Sequence, residues 1–287
     1  MLSRWLPVSA LTFNALVWGL SWWPFRILQQ HGVHPLWATS FIFAIALLVL
    51  LVIYPTAWRG FSKQPVLWVL MIATGVCNAC FNWAVTEGDV VRVVILFYLM
   101  PAWVVLLAWP LLGEKPSAAS LTRLVLALVG VAVVLKTPEV NWPIPQSRAD
   151  WLALLGGASF ALNNVLLRKL HDAGPGARML AMFSGGTFLS LGVAMLATHF
   201  GLALAPPAPS ADWLVWIGIM SLGFLLGNAG LQFGASRMAA TSASLIMLTE
   251  VLFASGSSVA MGAATLSLQT LLGGALVLLA ALWASLS

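Results

Sequence analysis

Apolar residues run through this chain in long blocks, and the breaks between blocks are short and rich in Pro, Gly and charge. Ten blocks can be marked, at 7–28, 35–54, 66–86, 90–111, 118–136, 149–170, 177–199, 212–233, 238–260 and 267–285. Each is near the roughly 20 residues that an α-helix needs to cross hydrocarbon. The breaks include HGVHP at 31–35, PTAWRGFSKQP at 55–65 and GEKPS at 113–117. TPEVNWPIPQSRAD at 137–150, HDAGPGAR at 171–178 and APPAPSAD at 205–212 follow. These read as turns on Pro and Gly chemistry, and none is long enough for a second, soluble domain. The pattern predicts an all-α membrane protein of ten transmembrane helices.

Composition agrees. Of 287 residues 61% are hydrophobic and 7% charged, against about 25% charged in ordinary soluble domains. So few charges could not cover the surface of a water-soluble protein of this size. The net charge of +5 lies scattered over helix ends, so it marks topology and calls for no nucleic-acid partner. With the N-terminus inside, the inner loops receive Arg4, Arg59, Lys63, Lys115, Arg123, Arg168, Lys169, Arg178 and Arg237. The outer loops receive Arg26, Arg92, Lys136 and Arg148. By the positive-inside rule both termini are expected in the cytoplasm. The opening MLSRWLPVSA lacks a small-residue cleavage site, so the first block is read as a retained helix. Cys77 and Cys80 lack the four ligands of a structural zinc site and read as small packing residues.

The two halves of the chain resemble each other. Residues 15–32, ALVWGLSWWPFRILQQHG, lie over 156–174, GGASFALNNVLLRKLHDAG, pairing Trp18 with Phe160, Arg26 with Arg168 and Gly32 with Gly174. Later, Asn78 pairs with Asn228, Asn82 with Gln232 and Trp83 with Phe233. Five helices per half is an odd number, so the second half must enter the membrane from the opposite side. The expectation is two inverted five-helix repeats, 1–145 and 146–287, packed around a central cavity. That is an architecture of alternating-access transporters.

Polar side chains are costly in lipid and should face a partner or a wet cavity. Asn14, Trp18 and Trp22 fall at i, i+4, i+8, and Asn78 and Asn82 share a face of the third helix. Asn228 and Gln232 match them in the eighth, Phe160 and Asn164 in the sixth with Asn163 adjacent, and Tyr98 and Pro101 lie three apart in the fourth. These are candidate substrate-binding residues. Asn and Gln also serve as interhelical hydrogen-bond glue, most Trp are expected to be anchors or packing, and Pro101 can simply kink its helix. Glycines 223, 227 and 230 are read as permitting close helix approach. Glu250, in SLIMLTEVLFASG, has no Lys or Arg within a dozen residues. It could bind a substrate's ammonium or carry a coupling proton. The alternative is a protonated Glu bonded to a neighbouring helix.

No GxSxG, HExxH or Walker loop occurs, and the four histidines lie in loops or at helix ends, so neither an enzyme nor a cofactor is expected. A receptor or scaffold would usually carry a soluble domain or a long tail.

ALVWGLSWWPFRI, GASFALNNVLLRKL, MPAWVVLLAWPLLGE and LTEV together resemble the drug/metabolite transporter superfamily, EamA type. Glu250 sits at the Glu of the family's Leu-x-Glu-Pro, with Val251 in place of the Pro. Two departures stand out. The Arg that many members carry near SFIFA is missing, and the second half has Gly262-Ala263-Ala264 where the family has Gly-Glu. The Trp-rich first helix is most similar to the YddG-type aromatic amino-acid exporters. That resemblance implies a bacterial inner-membrane exporter of neutral amino acids, aromatic ones included. A cavity lined by Trp, Tyr and Asn suits such a zwitterion. Efflux of cationic drugs or other small metabolites is the rival reading. The expected partners are a small-molecule substrate and the lipid bilayer, and ten helices around one site can work as a monomer.

Overall fold

A computed structural model describes residues 2–113, 115–136, 144–235, 237, 246–247 and 249–285. Among the described residues the chain is helical, with no strand. The helices are α1 (Leu2–Leu20), α2 (Trp22–Gln30), α3 (Pro35–Ile53), α4 (Gly60–Lys63), α5 (Val66–Glu87), α6 (Val90–Phe97) and α7 (Met100–Leu112). They continue as α8 (Ala118–Leu135), α9 (Arg148–Lys169), α10 (Pro175–His199), α11 (Ala211–Ala235), α12 (Thr249–Ala260) and α13 (Leu268–Ser285). Seven segments of the described chain are long and apolar enough to cross a membrane, from Pro35–Ile53 to Ala211–Gly234, and Leu268–Ala280 is a shorter apolar helix.

The breaks do the punctuation their composition suggests. His34 caps α3 by accepting the Leu36 N–H, with Pro35 at the first helical position, where no intrahelical donor is needed. Asp89 caps α6, Ser117 caps α8, and Ser147 with Asp150 forms a capping box on α9. Gly113 ends α7 at φ +73°, a left-handed conformation that other residues enter only with strain.

Two expected helices are interrupted. The first divides at Ser21, whose Oγ accepts nothing and instead donates to the Trp18 carbonyl at 2.7 Å. The fourth divides at Tyr98 and Leu99. Pro101 is therefore no interior kink: it lies in the first turn of α7, where its missing N–H costs no hydrogen bond. Nine residues of the ninth expected span, 238–245 and 248, lie outside the described residues.

Helices pack mostly across the middle of the sequence. α5 lies against α9 and α10, α3 against α10 and α11, α1 against α11 and α12, and α8 against α13. α6 meets α9 and α12, and α7 meets α9. Small residues allow these approaches. A Cβ on Gly130 would stand 2.7 Å from the Gly273 carbonyl, and one on Gly273 2.7 Å from the Gly130 carbonyl. Along α11, Gly227, Gly230 and Gly234 face Asn14, Ala10 and Pro7 of α1, so these two helices run antiparallel with backbones nearly touching. The packing role expected of Gly223, Gly227 and Gly230 is the one they have.

Candidate functional site

The predicted residues separate into three groups. Asn14, Tyr98 and Glu250 form the first. Asn14 is fully buried and donates through Nδ2 to Met247 Sδ at 3.5 Å. The Tyr98 hydroxyl lies 3.5 Å from the Met247 carbonyl and beside the Glu250 carboxyl, so its one proton can serve either acceptor. Glu250 is 9% exposed. No basic side chain acts on it among the described residues, and Cys77 borders it from α5. Tyr98 reaches this point because α6 stops at Phe97, and Gly19 lets α1 press against the Glu250 backbone: a Cβ there would meet the Glu250 carbonyl at 2.8 Å.

The second group holds α5 to its neighbours. Thr74 Oγ1 donates to Asn163 Oδ1 at 3.2 Å, and Asn82 Nδ2 donates to Thr39 Oγ1 at 3.0 Å. Asn163 and Asn82 are thus joined to other helices as glue. Asn78 and Asn228 bond their own helices, donating to the Thr74 and Phe224 carbonyls at 2.9 and 3.0 Å. Asn164 likewise donates to Phe160 O, and also to Met100 Sδ at 3.2 Å. Gln232 is half-buried on α11.

The third group is aromatic. Trp22, Phe81, Phe97 and Tyr98 share one apolar cluster with Cys77, Val251 and Ala254, and Phe160 and Trp103 pack against it. Trp22 is anchored by its N–H to Ser257 Oγ at 2.9 Å. Trp18 turns elsewhere: it stacks on Phe224 at 4.3 Å and packs against the second cluster, with Phe25 and Phe43. The first-helix face read from the i, i+4, i+8 spacing therefore serves two clusters.

Sequence reasoning missed a set of charged contacts at one end of the bundle. Arg26 donates to Val85 O at 3.0 Å, Gly88 O at 2.6 Å and Ala263 O at 3.5 Å. Arg92 forms a bidentate pair with Asp150 at 2.7 and 3.0 Å. Arg148 does the same with Glu87 at 2.8 and 2.6 Å. Asp89 accepts the Thr265 N–H at 3.2 Å, and Gln269 donates to the Val133 and Lys136 carbonyls. Apart from the first two Arg26 bonds, each joins a residue before 145 to one after it. The only foretaste in the sequence was the quartet Arg26, Arg92, Lys136 and Arg148, sorted to one side by the charge rule.

Two cavities are lined by other residues, one of them beside the charged contacts. One, of about 430 Å³, is lined by Arg26, Gln29, Gln30, Thr86 and Glu87. The other, of about 490 Å³, is an apolar groove between α3, α5 and α10 that includes Trp58, Phe61 and Trp68. The predicted site residues line neither.

Residues 5–136 match the EamA-like transporter family. No curated protein matches the chain. One solved crystal structure of a protein is similar over 97% of this chain and 96% of its own, with a TM-score of 0.57 and 19% identity. At that identity the likeness is one of fold, and it runs through both halves of the sequence.

Proposed function

We propose, for a chain whose residues 5–136 match the EamA-like transporter family, an alternating-access exporter of small neutral amino acids, aromatic ones included. That match, with the long apolar helices, supports a multi-pass membrane transporter of small molecules. The finer reading is supported by one observation above others, the pairing of the helices. Number the spans one to ten and exchange each with its counterpart five places on. The pair α5–α9, spans three and six, becomes α1–α11, spans eight and one. The pair α6–α9 becomes α12–α1, and the pairs α3–α10, α8–α13 and α6–α12 return to themselves. Two inverted repeats, 1–145 and 146–287, would pack in this way, and such repeats offer two mirror-related openings to one central site.

The site lies between the halves, where Asn14, Tyr98 and Glu250 meet beside the aromatic cluster. Asn78, Asn164 and Asn228 bond mainly within their own helices and so keep acceptor capacity for a ligand. The charged contacts join the halves at the end that carries Arg26 and Arg148. In this reading that end is the closed, outer gate, and the end that carries Arg59, Lys63 and Arg178 faces the cytoplasm of a bacterial inner membrane. A single chain completes the site.

Glu250 without a basic partner also favours the rival, efflux of cationic drugs. Liposomes that contain only this protein decide between them. Flux of labelled Phe, Trp, Thr and Met, with and without a pH gradient, is the expected result. Drug flux without amino-acid flux would refute the substrate reading.

A further inference from the structure

We infer that Glu250, Tyr98 and Asn14 form a subsite for a protonated amine, so that the transporter selects substrates by their ammonium group; this rests on the transporter reading above. The groups that converge here are unbalanced. Glu250 offers two carboxylate oxygens and has Tyr98 as its side-chain partner, with no basic residue acting on it among the described residues. Asn14 Oδ1, on a fully buried side chain, has no hydrogen-bond partner. The Tyr98 hydroxyl reaches the Met247 carbonyl only over a long 3.5 Å. Acceptors outnumber donors, and buried polar groups need partners.

An ammonium brings three N–H donors and one positive charge, which meets both deficits at once. A carboxylate alone would add acceptors and a like charge. The walls fit the same cargo. Trp22, Phe97 and Tyr98 belong to the cluster that contains Val251, next to Glu250, and Ala254, one turn of α12 further on. Aromatic faces attract a desolvated cation and give its apolar portion a surface to cover. The spent donors agree. The Asn14 amide is occupied by Met247 Sδ, and the Trp22 N–H by Ser257, so neither donor competes with an ammonium for these acceptors.

Three probes of one shape test this on the full chain in nanodiscs: L-Phe, 2-phenylethylamine and 3-phenylpropionate, followed by quenching of Trp fluorescence. The amine and L-Phe should bind and 3-phenylpropionate should not. Glu250→Gln should weaken both amines by about 30-fold, the loss typical of removing one partner of a buried charge pair. Asn14→Leu, which deletes the unpartnered oxygen without touching the carboxylate, should weaken them in the same direction. It also stands in if Glu250→Gln does not fold. Equal binding of 3-phenylpropionate and the amine would overturn the inference, as would amine affinity that neither substitution moves. L-Phe bound indifferently to both substitutions sinks the subsite and leaves the amino-acid reading standing. Amine bound in a Glu250-dependent way without L-Phe does the reverse. Binding of none of the three sinks both.

Discussion

Asp150 carries the most exacting prediction. It is 2% exposed and accepts the Arg92 Nε and second guanidinium bonds at 2.7 and 3.0 Å, together with the Gln146 and Ser147 N–H groups at 3.0 and 3.3 Å. Arg92 in turn donates to the Val134 carbonyl at 2.6 Å, so α6, α8 and α9 meet on one ion pair. Asp150→Ala removes the anion and strands the cation, a change that costs about 3–5 kcal/mol when both groups are buried. Arg92 keeps 24% of its side-chain exposure, so water recovers part of it and the lower figure, about 3 kcal/mol, applies. Loss of the capping box adds about 1 kcal/mol. The total should appear as a clear fall in the thermal midpoint of detergent-solubilised protein. Asp150→Asn keeps the cap and should lie between the two. Replacing both partners, Arg92→Met with Asp150→Leu, should cost less than Asp150→Ala, because no charge is left unpaired. If Asp150→Ala melts with the wild type, the pair is not holding the helices together. If the double change is the worst of the three, the desolvation argument fails.

Three further outcomes are expected. Gly185→Ala should destabilise by about 1–3 kcal/mol, because its Cβ would meet the Met71 carbonyl of α5, a backbone atom that cannot turn aside; an unchanged melting midpoint would contradict the close α5–α10 crossing. His34 is held below the ordinary imidazole value, mainly by burial and despite the nearby Glu87. The unfolded chain therefore takes up a proton before the folded one does, and stability should be level above about pH 6.5 and fall as pH drops from there. His34→Asn, which can still cap α3, should remove that slope in thermal scans across pH. Asn78→Ala and Asn164→Ala should each reduce flux in proteoliposomes while the protein still inserts; normal flux from both would misplace the site.

The helices that cross the membrane were legible because length and apolarity alone decide them: the blocks at 35–54 and 66–86 became Pro35–Ile53 and Val66–Glu87. The interruptions at Ser21 and at Tyr98–Leu99 were not, since neither site carries the Gly or Pro that ordinarily announces a break. Pro101 drew attention instead, three residues too late. The polar faces were read correctly as inward, but their partners were hidden. Met247 meets Tyr98 through a backbone carbonyl, and every residue type has one. Arg92 and Asp150 are 58 residues apart, and counting charges by side of the membrane says nothing about which anion each cation will find.

The cross-sequence pairing of helices also bears on how the chain is made. α1 rests on α11 and α12, and the main neighbours of α5 are α9 and α10. A ribosome therefore delivers the first two hundred residues or so before α1 can meet its principal partner. The early helices must wait in the bilayer as separate spans, each stable in lipid because its backbone is already satisfied. Assembly then closes late, when the last third of the chain arrives. Two polypeptides cut between α8 and α9 carry complementary surfaces, and their synthesis in one cell should rebuild the protein where either piece alone would be left for proteolysis.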